Sequence, residues 1–247
     1  MTDQKQSPEI DASSDVITLK EFLKHKFPVP QVILNPWLTA KSLNLIYAES
    51  GVDKSSFGLG IAYAVASGGE FLGWKSDKPR EVLYLDGITS NDELQRKLRI
   101  FDNQNARDFP EENFRLMTTD LQKGLMPDLS TEEGQQLIDQ FILPSTELII
   151  VDSLSWPLVN SRQTNDHENW RNYSQWALSK RAQGKTIVFI QSSGKKGIKK
   201  GFFKHEDLLD TVIFLKGPDD YEFEERTHFG SPSRSGLTGQ KLPKTLP

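Results

Sequence analysis

The chain has no cysteine, which excludes disulfides and thiolate metal sites and fits an intracellular, cytoplasmic protein. No apolar run approaches the ~20 residues that a membrane-spanning helix needs. The stretch Met1 to Asp15 is polar and acidic, without the apolar centre of a secretory signal. Positive charge is not in excess either. Thirty Lys and Arg against 34 Asp and Glu leave a formal net charge of −4, so no global basic field advertises nucleic-acid binding. The four histidines, His25, His167, His205 and His228, lack metal-ligand spacing, and no segment repeats. What is present suffices for a core: 36% hydrophobic residues with 14 Phe and 5 Trp. A chain of 247 residues suits one large α/β domain with extensions, or at most two small ones.

The pattern along the chain alternates. Residues 1–16 are polar and read as a disordered tail. Leu19, Phe22 and Leu23 predict a short helix within Ile17 to Phe27, and Pro28 to Trp37 reads as a Pro-punctuated connection. Buried strands are expected at Leu43 to Tyr47, Glu81 to Asp86, Phe114 to Thr118, Glu147 to Asp152, Thr186 to Gln191 and Asp210 to Leu215, where apolar runs stand between polar boundaries. Helices are expected between them. One runs through Phe57, Leu59, Ile61 and Val65 and ends at Ser67-Gly-Gly69. A second covers Asn91 to Ile100, with Leu94, Leu98 and Phe101 on one face. A third is opened by a capping box at Ser130-Thr-Glu-Glu133 and passes through Leu137, Ile138 and Phe141. The last spans His167 to Gln183, an amphipathic pattern with Trp170, Tyr173, Trp176 and Leu178, of which Trp170, Tyr173 and Trp176 are read as core. Strands alternating with helices predict a parallel sheet covered on both faces. Residues 17–216 form the predicted domain, and 217–247 a loose tail.

Between the first strand and its helix stands Tyr47-Ala-Glu-Ser-Gly-Val-Asp-Lys-Ser-Ser56. A Walker A loop, G-x-x-x-x-G-K-[ST], belongs there, because its backbone amides and lysine cradle nucleotide phosphates. Lys54 and Ser55 hold their places in that pattern, and Gly51 and Ser56 complete the candidate loop. The glycine expected before the lysine is Asp53, and the first glycine is Ala48. Asp53 places a carboxylate where bare backbone meets triphosphate. The same Asp53 also reads as an ordinary helix N-cap. Ser55 is the candidate Mg²⁺ ligand of such a loop if nucleotide binds.

Four further segments carry a resemblance: Ala62-Tyr-Ala-Val-Ala-Ser-Gly-Gly-Glu-Phe-Leu-Gly-Trp74, Val82-Leu-Tyr-Leu-Asp-Gly87, Val151-Asp-Ser-Leu-Ser155 and Glu206-Asp-Leu-Leu-Asp-Thr-Val-Ile213. In that order they resemble RecA-fold ATPases of the AAA superfamily, the group found in plasmid and mobile-element replication proteins and related to RepA-type hexameric helicases. The resemblance implies an α/β, RecA-like P-loop NTPase fold whose active members hydrolyse ATP between subunits of a ring. It implies Asp152, at the Walker B position, as a Mg²⁺ ligand beside Ser55 if nucleotide binds, and it also implies departures. Asp86-Gly87-Ile88 stands where the family has Asp-Gly-Glu, whose glutamate polarises the attacking water. Gln191-Ser192 replaces paired histidines near the γ-phosphate. Lys200-Gly-Phe-Phe203 replaces an Arg-Gly-Thr/Ser element whose arginine grips phosphate as a planar fork. An arginine finger alone is worth roughly 10³–10⁵ in rate. These losses predict weak or absent hydrolysis, with no catalytic residue assigned and ATP/Mg bound weakly or not at all.

The run Gly194 to His205 packs five lysines and two adjacent phenylalanines into a loop. In such folds that loop faces the ring channel. Lys195, Lys196, Lys199, Lys200 and Lys204 could track phosphates there, and Phe202 or Phe203 could stack on single-stranded bases; the plainer reading is a solvated loop. The sequence thus predicts a degenerate ATPase homologue acting as a regulatory, scaffolding or nucleic-acid-associated subunit, self-associating or paired with an active relative. Two alternatives stand beside it: a working Mg-ATP-dependent helicase-like motor, and a single-strand-binding module that needs no nucleotide.

Overall fold

The computed structural model describes residues 16–48, 52–104, 111–122, 125–154, 166–192 and 207–216. The chain divides into two compact units, Met1–Pro30 and Gln31–Pro247. In the first, α1 (Leu19–Lys24) is closed by a reciprocal capping box between Thr18 and Glu21, and the Phe27 ring packs against Phe22 and His25. Leu19, Phe22 and Leu23 are exposed.

The second unit runs β1 (Val32–Leu34), β2 (Leu38–Thr39), β3 (Leu43–Ala48), α2 (Lys54–Ser67), β4 (Glu70–Phe71), β5 (Trp74–Lys75), β6 (Glu81–Asp86) and α3 (Asn91–Gln104). It continues with β7 (Phe114–Thr118), α4 (Glu132–Asp139), β8 (Thr146–Asp152), α5 (Asp166–Ala182), β9 (Thr186–Ser192) and β10 (Thr211–Leu215). Six strands form one sheet in the order β10-β3-β9-β8-β6-β7, and every neighbouring pair is parallel. The predicted α/β fold with a parallel sheet between helices is what the chain adopts.

Strand alternation sorts the core into two sides. Ile46, Val82, Tyr84, Leu148, Ile150, Val188 and Ile190 pack with α2 and α3. Leu45, Leu83, Leu85, Ile149, Val151, Ile187 and Phe189 pack with α4 and α5. Both faces are covered, which is why these strands read as continuous apolar runs rather than alternating ones. Helix α2 is buried at every position from Phe57 to Ser67, as its apolar residues on all sides require. It ends at Gly68, whose φ of 66° is left-handed.

Several local expectations are corrected. The Pro28 to Trp37 connection contains β1, and β2, β4 and β5 are two-residue strands too short to leave a periodic signal. Helix α4 is capped by Thr131, whose hydroxyl accepts from the Gly134 amide at 3.1 Å. Ser130 does not cap it because its amide and hydroxyl both donate to the Asp128 carboxylate. Leu137, Phe141 and Leu178 are exposed, whereas Trp170, Tyr173 and Trp176 are core as predicted. The expected tails at 1–16 and 217–247 lie outside the described residues, Val16 excepted.

The α4 cap yields a stability prediction. A side chain at Gly134 would collide with the Asp128 backbone, which cannot swing aside as a side chain can. Gly134→Ala should therefore lose about 1–3 kcal/mol, although alanine is the better helix former by about 1 kcal/mol. Urea unfolding measures the difference; unchanged stability would show that residues 128–134 pack differently.

Candidate functional site

The carboxyl ends of the central strands are where a ligand binds in an open parallel sheet. Asp86 and Asp152 end β6 and β8 as direct register partners. Alternation places them on the same side as Tyr84 and Ile150, facing α2. Both carboxylates are buried. The Tyr84 hydroxyl donates to Asp152 Oδ2 at 2.8 Å, and the Ser55 hydroxyl also bonds Asp152. Burial and the neighbouring Asp86 charge push the Asp152 carboxyl up to about 6, against the pull of Ser55, Tyr84 and Lys54. Burial likewise raises Asp86, although its Oδ1 accepts the Ile88 and Thr89 amides at 2.9 and 2.7 Å. Asp86 Oδ2 has no hydrogen-bond donor among the described residues. The Tyr84 hydroxyl is driven well above its ordinary value by burial and by these two carboxylates.

The second half of the site is the N-terminus of α2. Asp53 is its N-cap: Oδ1 accepts the Ser56 amide at 3.0 Å and Oδ2 accepts the Ser56 hydroxyl at 2.6 Å. A carboxylate there satisfies an orphan amide and complements the helix dipole. Lys97 on α3 closes the arrangement, its ammonium 2.9 Å from Asp53 Oδ1. Burial alone would raise the Asp53 carboxyl, but the bonds from Ser56 and Lys97 outweigh it and hold the group below its ordinary value. Lys54 opens the helix with its ammonium 3.5 Å from the Val52 carbonyl. Burial lowers its pKa while Asp152 and Asp53 draw on its charge.

The structure thus brings together Asp53, Lys54, Ser55, Ser56 and Asp152 of the predicted residues. Gly51 and the whole set Lys195, Lys196, Lys199, Lys200, Phe202, Phe203 and Lys204 lie outside the described residues. Ile88 is 60% exposed on the loop after β6. Gln191 is buried, with the parity of Ile187 and Phe189, which face α5. Two residues of the site escaped the sequence reading. Lys97 falls at i+3 from Leu94 and i−4 from Phe101, so a lysine on the buried stripe of α3 was the available signal. Tyr84 carries none beyond sharing the parity of Asp86 on β6.

Comparison with known proteins agrees with this geometry. A family model described as "AAA domain" matches residues 7–197. The chain belongs to that AAA domain family. Among solved structures, a KaiC-like protein from the hyperthermophilic archaeon Pyrococcus horikoshii OT3 superposes with a TM-score of 0.52 at 12% identity, over 76% of this chain and 77% of that one. The RadB recombinase gives 0.49 at 14% identity, over 74% and 77%. No curated protein matches the sequence. This AAA-domain protein has the RecA fold of P-loop ATPases, and no described helix is long and apolar enough to cross a membrane.

The residues fit the two halves of Mg-nucleotide unequally. Ser55, Asp152 and the donorless Asp86 Oδ2 are oxygen ligands suited to a divalent ion, which when bound would neutralise phosphate oxygens. No described cluster of three or more His, Asp or Glu could hold a metal alone, and Mg²⁺ on one or two carboxylates relies on substrate phosphates for the rest. The phosphate half does not fit as it stands. Asp53 already holds the Ser56 amide and hydroxyl.

The buried carboxylate pair makes a pH prediction. Asp152 has a higher pKa folded, about 6, than in an unfolded chain, so the folded state binds more protons between roughly pH 4 and 6. Its contribution is greatest below pH 4 and is lost as pH rises through about 6. With divalent ions chelated, Asp152→Asn should gain on the parent chain by up to about 3 kcal/mol between pH 4 and pH 7. Denaturant melts at both pH values measure this; a constant gap would show that Asp152 ionises freely in the fold.

Proposed function

We propose that this chain is a RecA-type ATPase homologue in which hydrolysis is weak or absent. It works through contacts, as a regulatory, scaffolding or nucleic-acid-associated subunit that joins with itself or with an active relative. The observation that carries this reading is the Asp53 carboxylate, bonded to the Ser56 amide at the head of α2, where a Walker loop offers bare backbone to phosphate. A unit negative charge about 4 Å from a phosphate charge opposes it by about 4 kcal/mol at an effective dielectric near 20. Solvent at this half-exposed carboxylate reduces the figure without changing its sign.

A second departure supports the same reading from another element. Ile88 cannot accept a proton or orient water, and its side chain faces solvent. Phosphoryl transfer depends on positioning and charge stabilisation almost alone. A chain altered in both phosphate binding and water activation keeps the fold's surfaces and little of its chemistry. Ser55 and Asp152 also bond each other, and Tyr84 bonds Asp152, so a structural role accounts for both residues without nucleotide.

Calorimetric titration with ATP and a slowly hydrolysed analogue, with and without Mg²⁺, tests the proposal. The parent chain should bind neither below about millimolar concentration, and Lys54→Ala should change nothing measurable. Asp53→Gly should tighten Mg-ATP binding at least tenfold, while turnover stays negligible because Ile88 remains. Micromolar Mg²⁺-dependent binding by the parent chain, with turnover abolished by Lys54→Ala, would overturn the proposal in favour of a working motor.

A further inference from the structure

Lys97 is an unusual residue for its position. It lies on the stripe of α3 formed with Leu94, Leu98 and Phe101, and its side chain is 9% exposed. A lysine is rarely buried to this degree without an anion to meet. Its nearest anion is one oxygen, Asp53 Oδ1, at 2.9 Å, with Glu93 a more distant partner at 3.8 Å and the Asp86 carboxylate near enough to feel its charge. The same oxygen accepts the Ser56 amide at 3.0 Å. A helix N-terminal amide and an ammonium converging on one anionic oxygen, with the Ser56 hydroxyl on its twin, is the donor set that a phosphate group takes. Helix α3 also follows directly on the loop at the carboxyl end of β6, so Lys97 enters from the ligand side of the sheet.

We infer that Lys97 is a phosphate-contacting residue of this site, supplied by α3 and held by Asp53, whose carboxylate occupies the position of a phosphate oxygen. The Asp53–Lys97 pair is then an autoinhibitory contact. While it stands, the chain's own carboxylate satisfies the donors. When Asp53 is neutralised or turned away, the Ser56 amide, the Ser56 hydroxyl and the Lys97 ammonium pass to the phosphates of a nucleotide. Lys54 is near enough for the same carboxylate to act on its charge, so two ammonium groups would share the phosphate charge. This inference rests on Asp53 as the occupant of the phosphate position, the reading proposed above.

The test uses the full chain and Mg-ATP as the probe, with calorimetric affinity and melting temperature measured on each variant. Asp53→Asn keeps a good helix cap and removes the charge, which protects folding; Asp53→Gly serves as its companion. Both should bind Mg-ATP at least tenfold more tightly than the parent chain. Adding Lys97→Met to either should weaken that binding about 10- to 100-fold, the range of one lost charge-assisted hydrogen bond, and Lys97→Arg should restore part of it. The melting temperature should hold or rise, because a buried ammonium that has lost its nearest carboxylate has been removed. If Lys97 serves only to stabilise Asp53, Lys97→Met will leave the affinity of Asp53→Asn unchanged, which overturns this inference and leaves the reading of Asp53 intact. If neither Asp53 variant gains affinity over the parent chain, the reading of Asp53 itself falls, and the role of Lys97 with it.

Discussion

The head of helix α2 needs an anion. Its first amides have no partner within the helix, its dipole favours negative charge, and a nearly buried ammonium from α3 points at it. In a Walker loop a nucleotide supplies that charge. Here Asp53 supplies it from within the chain, through bonds to the Ser56 amide, the Ser56 hydroxyl and Lys97. Much of the surrounding arrangement follows from this substitution. Lys97 can remain on the apolar stripe of α3 because its charge is met. The link from Asp53 to Lys97 ties α2 to α3, and α3 in turn starts from the loop that the Asp86 carboxylate organises through the Ile88 and Thr89 amides.

Behind this outer layer sits an inner one. Asp86 and Asp152 stand side by side at the ends of β6 and β8, buried, each making the other harder to ionise. Such a pair is tolerated only where donors compensate it. The Tyr84 and Ser55 hydroxyls and the nearby Lys54 serve Asp152, and backbone amides serve Asp86. Three tiers of alternating charge result: carboxylates at the strand ends, lysines around them, and the Asp53 carboxylate at the helix head. A triphosphate at the helix head would contend with the Asp53 carboxylate for Ser56 and Lys97.

The strands were legible because burial on both faces leaves runs such as Glu81 to Asp86 and Phe114 to Thr118 apolar between polar boundaries, and these two begin and end where the runs do. The end of α2 was legible from Ser67-Gly68-Gly69, since a left-handed turn there calls for glycine. Helix α4 was less so. Ser130 and Thr131 are equally good caps in a list of residues, and only the Asp128 carboxylate, which takes Ser130, decides between them. Of the site, Asp53 as an N-cap could be read from spacing alone, and the Ser55–Asp152 neighbourhood from the resemblance to RecA-fold ATPases. Lys97 could not be tied to Asp53, because 44 residues separate them and only the folded sheet brings α3 beside the loop. The apolar stripe marked Lys97 as anomalous without naming its partner.

The internal carboxylate also changes what the fold depends on. A ligand that binds only the native state stabilises it by an amount that grows with the logarithm of its concentration over its dissociation constant. A Walker loop left without nucleotide forgoes that contribution and leaves its amides to water. Asp53 satisfies the Ser56 amide from within the chain, so on the proposed reading stability at this corner is set by the sequence and not by ATP supply. On that reading a subunit built this way has its anion at the head of α2 with or without nucleotide. In an assembly that cycles with hydrolysis, such a subunit would hold a fixed geometry against moving neighbours, which is the property a regulatory or scaffolding member requires.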